Sequence, residues 1–256
     1  MGKIIAIANQ KGGVGKTTTT VNLGACLGAL SQKVLILDAD PQGNTTSGVG
    51  IDKNNQEHTL YSVLIERQPL ASCILQTPFS NLSLCPCNMD LLGAEVLIDR
   101  MERKEFLLKE ALKPVVEEYD FILIDCPPSL NYITINAFSA ADSILIPIQC
   151  EYFALEGVSD LTTNIRFIKN TINPGLEIEG ILLTMFDSRT NLSVQVSEDV
   201  KTCFPDLVYQ VAIPRNTRLG EAPSFGLPVI YYDKYCKGAE SYQLLAKEVL
   251  RQNGKE

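Results

Sequence analysis

Tryptophan is absent from this chain, and a single histidine, His58, stands among 256 residues. Histidine-based acid–base chemistry therefore has almost no material. His58 lies just ahead of an expected helix over 60–67 and reads as a surface or capping residue. A basic surplus is also missing: 22 Lys and Arg are set against 30 Asp and Glu, for a net charge of −8. That excludes a molecule coated with nucleic-acid-binding surface and confines any DNA contact to a local patch, such as one assembled by dimerisation. No apolar run reaches the ~18 residues of a membrane span. The first residues enter an apolar strand directly, which leaves no room for a signal peptide and sets the expectation of a cytoplasmic protein. The eight cysteines are scattered and read as reduced, mostly buried thiols. Cys85-Pro86-Cys87 is the one close pair, weak evidence for a metal site.

Against these absences, 45% of the residues are hydrophobic and 20% charged, an ordinary globular balance with length enough for a well-buried core. Apolar strands alternate with helical stretches: strands near 4–8, 33–38, 82–85, 120–125, 143–148 and 178–185, with a last core strand over 207–213. Helices are expected over 18–30, 91–101, 105–118, from about 157 to 170, to about 204, and over 238–251. This order predicts an α/β fold, a three-layer, mostly parallel twisted sheet with helices on both faces. With no convincing linker and no repeat, residues 1–256 are expected to form one domain.

The organising stretch is Gln10-Lys11-Gly12-Gly13-Val14-Gly15-Lys16-Thr17-Thr18. Strand, glycine-rich turn and helix together make the context of a phosphate-binding loop. Glycines let backbone amides turn toward a polyphosphate, and the following helix N-terminus adds partial positive charge. Lys16 is expected to reach the β- and γ-phosphates and Thr17 to ligate Mg2+. A glycine-rich turn without ligand is the bland alternative, and two fixed lysines and a threonine argue against it. Gln10 replaces the first glycine of the general pattern, and Lys11 adds a second lysine: the deviant Walker A string.

Two further strings end strands in acid. Asp38-Ala39-Asp40-Pro41-Gln42-Gly43-Asn44 follows an apolar strand, so its aspartates are expected to face the same site, at the carboxyl ends of the strands. Phe121-Ile122-Leu123-Ile124-Asp125 has the Walker B pattern, with Asp125 supporting the metal opposite Thr17. Cys126-Pro127-Pro128-Ser129 is a stiff turn after it, suited to sensing a γ-phosphate. Pro214-Arg215-Asn216 comes where a base-binding loop is expected.

Taken together, the loop at 11–18, Asp38-x-Asp40-Pro-Gln-Gly-Asn44, Asp125-Cys-Pro-Pro-Ser129 and Pro214-Arg-Asn216 resemble the ParA/Soj family of partition ATPases over nearly the whole chain. The absence of a helix-turn-helix ahead of the first strand resembles the short, chromosomal-type members. The resemblance implies an ATP- and Mg2+-dependent sandwich homodimer that binds double-stranded DNA without sequence preference, sits on the nucleoid, and is stimulated by a ParB/Spo0J-like partner. It implies that Gly12, Gly13, Val14, Gly15, Lys16, Thr17 and Thr18 cradle phosphate and that Lys11 reaches the other subunit's nucleotide. It further implies that Asp40 positions or activates the attacking water, that Pro214 and Asn216 contact adenine, and that Glu151 touches nucleotide across the dimer. Arg189 and Arg218 fall where similar proteins carry DNA-contacting arginines; ordinary solvated arginines paired with acids are the alternative. Two rival functions share the loop motifs: a membrane-associated MinD-like regulator, which needs a C-terminal amphipathic anchor, and an iron–sulfur carrier, which needs cysteines meeting at a dimer axis.

Overall fold

The computed structural model describes residues 2–152 and 154–255; Phe153, in the connection expected over 151–157, lies outside the described residues. In chain order the elements are β1 (Lys3–Ile7), α1 (Lys16–Ala29), β2 (Val34–Asp38), α2 (Asn44–Gly48), α3 (Leu60–Leu64), β3 (Leu75–Gln76), β4 (Leu82–Cys85), α4 (Ala94–Ile98) and α5 (Leu107–Leu112). Then follow β5 (Phe121–Asp125), α6 (Tyr132–Ala140), β6 (Ser143–Gln149), α7 (Ala154–Thr171), β7 (Glu177–Thr184), α8 (Asn191–Cys203), α9 (Thr217–Glu221), α10 (Val229–Tyr232) and α11 (Lys237–Gln252).

The seven strands form one sheet in the order β3-β4-β2-β5-β1-β6-β7. Every pairing is parallel except β3 with β4. The central strands are continuous apolar runs because both of their faces are covered. Ile4, Ala6, Leu35, Leu37, Ile122 and Ile124 pack into a core shared with α3 and α5 to α8. Their neighbours Ile5, Ile7, Ile36 and Leu123 point the other way, toward α1 and α11. Seven strands between two helical layers are the expected α/β arrangement.

Register places the site. Asp38 pairs with Asp125 at the adjacent ends of β2 and β5, and Ile7 pairs with Asp125 on the other side. The loop leaving β1 therefore opens directly over two carboxylates.

Four sequence expectations need correction. The helix expected over 60–67 ends at Leu64, with Arg67 in the left-handed region ahead of Pro69. Its cap is Thr59, whose hydroxyl accepts from the Tyr61 amide, and not His58. The helices expected over 91–101 and 105–118 are shorter and broken into 3-10 turns, the second stopping ahead of Pro114. Residues 207–213 are not a sheet strand: isolated bridges, Ile181 with Val208 and Phe186 with Pro214, and a backbone bond from the Ile213 amide to the Leu183 carbonyl at 2.8 Å tie this edge to β7 and the segment after it without a continuous ladder. The ladder fails because the amides of Gln210 and Val211 turn away and donate to the Glu248 carboxylate of α11, at 2.8 and 3.3 Å.

That irregular segment is locked by Tyr209, whose buried ring lies on the glycine of β7. A Cβ at Gly180 would stand 2.5 Å from the Tyr209 ring. Gly180→Ala is expected to destabilise the fold by about 1–3 kcal/mol through overpacking. A lowered denaturation midpoint in urea, with the slope unchanged, checks it.

Candidate functional site

The loop after β1 is built from backbone requirements. Gly13 and Gly15 hold φ of 74° and 91°, the left-handed region that favours glycine. A Cβ added at Gly12 or Gly13 would meet nothing within 4 Å, so the loop faces open space. Among the described residues, the amides of residues 12–15 donate to no protein acceptor. Val14 is buried, and its carbonyl accepts from the Thr184 hydroxyl at 2.8 Å, which pins the loop to the end of β7. Lys16 reaches back across the loop and donates to the carbonyl of Lys11 at 2.9 Å. A curved row of free amides closed by a lysine, at the start of a helix, is a fit for a polyphosphate.

Beneath the loop, Asp125 is wholly buried. Thr17, on the first turn of α1, donates to its Oδ2 at 2.8 Å, and Thr45 donates to the same oxygen at 2.6 Å. Thr20 reaches Oδ1 at 3.3 Å. A buried carboxylate beside a helix-borne hydroxyl is a hard-oxygen donor set suited to Mg2+. Asp38, also wholly buried, accepts from the amide and the hydroxyl of Thr46 at 2.8 and 2.7 Å. Asp40 stands half-buried beyond it and accepts from the Gln42 amide at 2.9 Å.

Burial raises the pKa of Asp38, and the neighbouring Asp125 raises it further. Burial raises Asp125 as well, against the Thr45 and Thr17 hydrogen bonds that lower it. Burial lowers Lys16, while the charges of Asp125 and Asp40 oppose that shift. Negative charge on these buried acids is thus costly, and a cation would relieve it.

The remaining sequence candidates divide into those beside the loop and those outside it. Pro214 and Asn216 line a cavity of about 250 Å3 together with Gly15, Thr18, Met185 and Tyr242. The Asn216 side chain caps α9 by accepting from the Arg218 amide at 2.9 Å. Lys11 lies along α7, where a Cβ at Gly157 would stand 3.0 Å from its Cε. Glu151 shares a second cavity, of about 230 Å3, with Lys11 and Gly157. Arg189 and Arg218 are not at this site. Each is paired with acids of its own chain: Arg189 with Asp187 at 2.7 Å, Arg218 with Glu221 at 2.7 Å and Asp233 at 3.3 Å. Sequence reasoning missed Thr45, Thr46 and Thr184; the only signal for the first two was their position directly after the Asp38–Asn44 string.

The raised Asp38 pKa has a consequence for stability. The folded chain holds this proton more tightly than the unfolded one, so stability is lost as pH rises from the ordinary carboxylate range. In nucleotide-free, chelator-treated protein, the melting temperature of Asp38→Asn minus that of the parent should grow between about pH 5 and pH 8. Thermal melts across that range check the sign.

Comparison with known proteins adds to this geometry. Residues 2–178 match the family model described as AAA domain. The sporulation initiation inhibitor protein Soj of Bacillus subtilis is 54% identical over 249 residues, 97% of this chain and 98% of that protein. The chromosome partitioning protein ParA of Myxococcus xanthus is 50% identical over 99% of this chain and 89% of its own length. Among solved structures, cobyrinic acid a,c-diamide synthase from Mycobacterium smegmatis, with bound ADP and magnesium, superposes with a TM-score of 0.87. It is 34% identical and covers 99% of this chain and 96% of that one. A phosphate-binding loop set over two strand-end carboxylates, carried on a chain half identical to Soj and ParA along its length, places this protein in the ParA/Soj family of P-loop partition ATPases.

Proposed function

We propose that the chain is a DNA-segregation ATPase that cycles between monomer and ATP-bound homodimer. The observation that carries this reading is the pairing of Thr17 with Asp125 beneath a lysine-closed loop of free amides. Lys16 and the amides of residues 12–15 hold the β- and γ-phosphates, with Thr18 beside them. Bound Mg2+ supplies charge neutralisation at Thr17 and Asp125, where buried negative charge is costly. Pro214 and Asn216 hold adenine, in the cavity that also contacts Gly15 and Thr18. The Asn amide can both donate to and accept from a base edge. Asp40 orients the attacking water.

Two copies meet through the face that carries these loops. Lys11 then leaves α7 for its partner's nucleotide and stabilises charge on the transferring phosphoryl group, as an arginine finger does. Glu151, which shares a cavity with Lys11, lies where the partner's nucleotide would approach. In the dimer, Arg189 and Arg218 of both copies contact DNA phosphates without reading sequence, two patches acting together. A centromere-binding partner of the ParB/Spo0J kind accelerates hydrolysis and releases the protein from the nucleoid. The whole of 1–256 acts as one unit in this cycle, in the cytoplasm.

A membrane-anchored reading is disfavoured by α11. Its apolar stripe, Tyr242, Leu245, Ala246, Val249 and Leu250, is buried against the core and not presented to a bilayer. No helix among the described residues is long and apolar enough to cross a membrane. The iron–sulfur reading is disfavoured by cysteine placement. Six of the eight thiols are buried, leaving exposed Cys203 and half-buried Cys236.

Two variants test the proposal. Lys16→Ala should weaken ATP binding by about 100-fold or more, measured by calorimetry. Asp40→Ala should bind ATP with parental affinity but persist as a dimer in light scattering, because hydrolysis no longer opens it. A monomeric, ATP-loaded Asp40→Ala protein would overturn the dimer cycle.

A further inference from the structure

We infer that Thr45 is a positioning residue for hydrolysis, fastening the Asp40 loop to the carboxylate at the end of β5. The inference rests on the role given to Asp40 above and adds how that carboxylate is held.

The loop from Ala39 to Asn44 starts on a backbone bond from the Ala39 amide to the Asp125 carbonyl at 3.0 Å, and two buried side-chain ties at its far end are made by consecutive threonines. Thr46 closes its base: amide and hydroxyl both donate to Asp38 Oδ2, eight residues earlier. The Thr46 hydroxyl also accepts from the Cys87 amide at 3.0 Å, which extends the tie to the end of β4. Thr45 makes the other tie. It is wholly buried, five residues past a half-exposed Asp40, and it reaches sideways to a different strand. Its hydroxyl is 2.6 Å from Asp125 Oδ2.

Between these ties the loop has no slack. Gly43 holds φ of 60°, and a Cβ there would stand 2.6 Å from the Cys87 carbonyl oxygen. The Asp40 carboxylate is held by little: among the described residues it accepts only from the Gln42 amide. The Asp40 backbone is fixed within the loop, its amide donating to Asp38 Oδ1 at 3.3 Å and its carbonyl accepting from Gly43 at 2.9 Å, so the carboxylate goes where the loop goes.

Thr45 shares its acceptor atom with Thr17. Both hydroxyls donate to Oδ2 of Asp125, one from the phosphate-loop side and one from the Asp40 side. A displacement of that oxygen toward Thr17 is felt by Thr45, and through five residues of tight loop by Asp40. The oxygen is thus a mechanical link between occupancy of the phosphate loop and placement of the group that orients water. A hydroxyl that merely satisfied a buried acid would affect stability or metal affinity. A hydroxyl that positions the loop must affect turnover more than binding, since a misplacement of about 1 Å can cost roughly 100-fold in rate.

The test uses the full chain with Thr45→Val, which keeps the shape and removes the hydroxyl, and Thr45→Ser, which restores it. Thr45→Val should lower kcat for ATP by about tenfold or more while the Kd for ATP stays within about threefold. In nucleotide-free protein, hydrogen exchange at the amides of residues 39, 40 and 42–46 should quicken in Thr45→Val, and in Thr45→Ser both exchange and kcat should return to parental values. Parental kcat in Thr45→Val, a loss of ATP affinity equal to the loss of rate, or no rescue by serine would each overturn the inference. Parental turnover in Asp40→Ala would instead contradict the role of Asp40 on which the inference rests.

Discussion

Two carboxylates sunk side by side at the ends of neighbouring core strands are the constraint around which this molecule is arranged. Asp38 and Asp125 face each other across the β2–β5 register, both without solvent exposure. Burying one such ion costs several kcal/mol, and burying two together adds their repulsion. Hydrogen bonds to charged groups return about 1.5–3 kcal/mol each, so a belt of donors lowers this cost but leaves it unfavourable. The belt is visible: Thr17, Thr20 and Thr45 on Asp125, Thr46 on Asp38, with Lys16 close enough for its charge to oppose the shift. Each donor comes from a segment that the proposed function requires. Thr17, Thr20 and Lys16 belong to the phosphate loop and its helix, while Thr45 and Thr46 end the Asp40 loop. The two acids therefore join the two loops and leave a place for a cation between them.

Much of the fold was legible because buried parallel strands advertise themselves as unbroken apolar runs. The phosphate loop was legible because its chemistry is a backbone requirement, written as glycines and lysines at fixed spacing. Residues 207–213 misled for a physical reason. Leu207, Tyr209, Val211 and Ile213 alternate as a strand should, but the Gln210 and Val211 amides are claimed by Glu248 on a distant helix. No local pattern announces an acceptor 38 residues away. The two-residue antiparallel β3, Leu75–Gln76, is too short to carry a period. Thr45 and Thr46 were silent for a related reason. Threonine is common after a turn, and its meaning emerges only when register sets β2 beside β5.

The acidity of the chain bears on how DNA would be engaged. Arg189 and Arg218 already carry carboxylate partners in the structure, Asp187 for one and Glu221 with Asp233 for the other. Arg189 is bidentate on Asp187, at 2.9 and 2.7 Å, and both arginines are themselves solvent-exposed, so these pairs are screened by salt and in the proposed cycle would exchange carboxylate for phosphate. A net charge of −8 weighs against DNA binding by one copy alone, so in the proposed cycle affinity would come from two copies acting together.

The most direct measurement of this account is steady-state ATP turnover by the purified chain with Mg2+, alone, with non-specific duplex DNA, and with DNA plus a centromere-binding partner. A slow basal rate, raised by DNA and partner together and absent in Lys16→Ala, is the predicted result. A rate indifferent to DNA and partner, or one that survives the loss of Lys16, would contradict it.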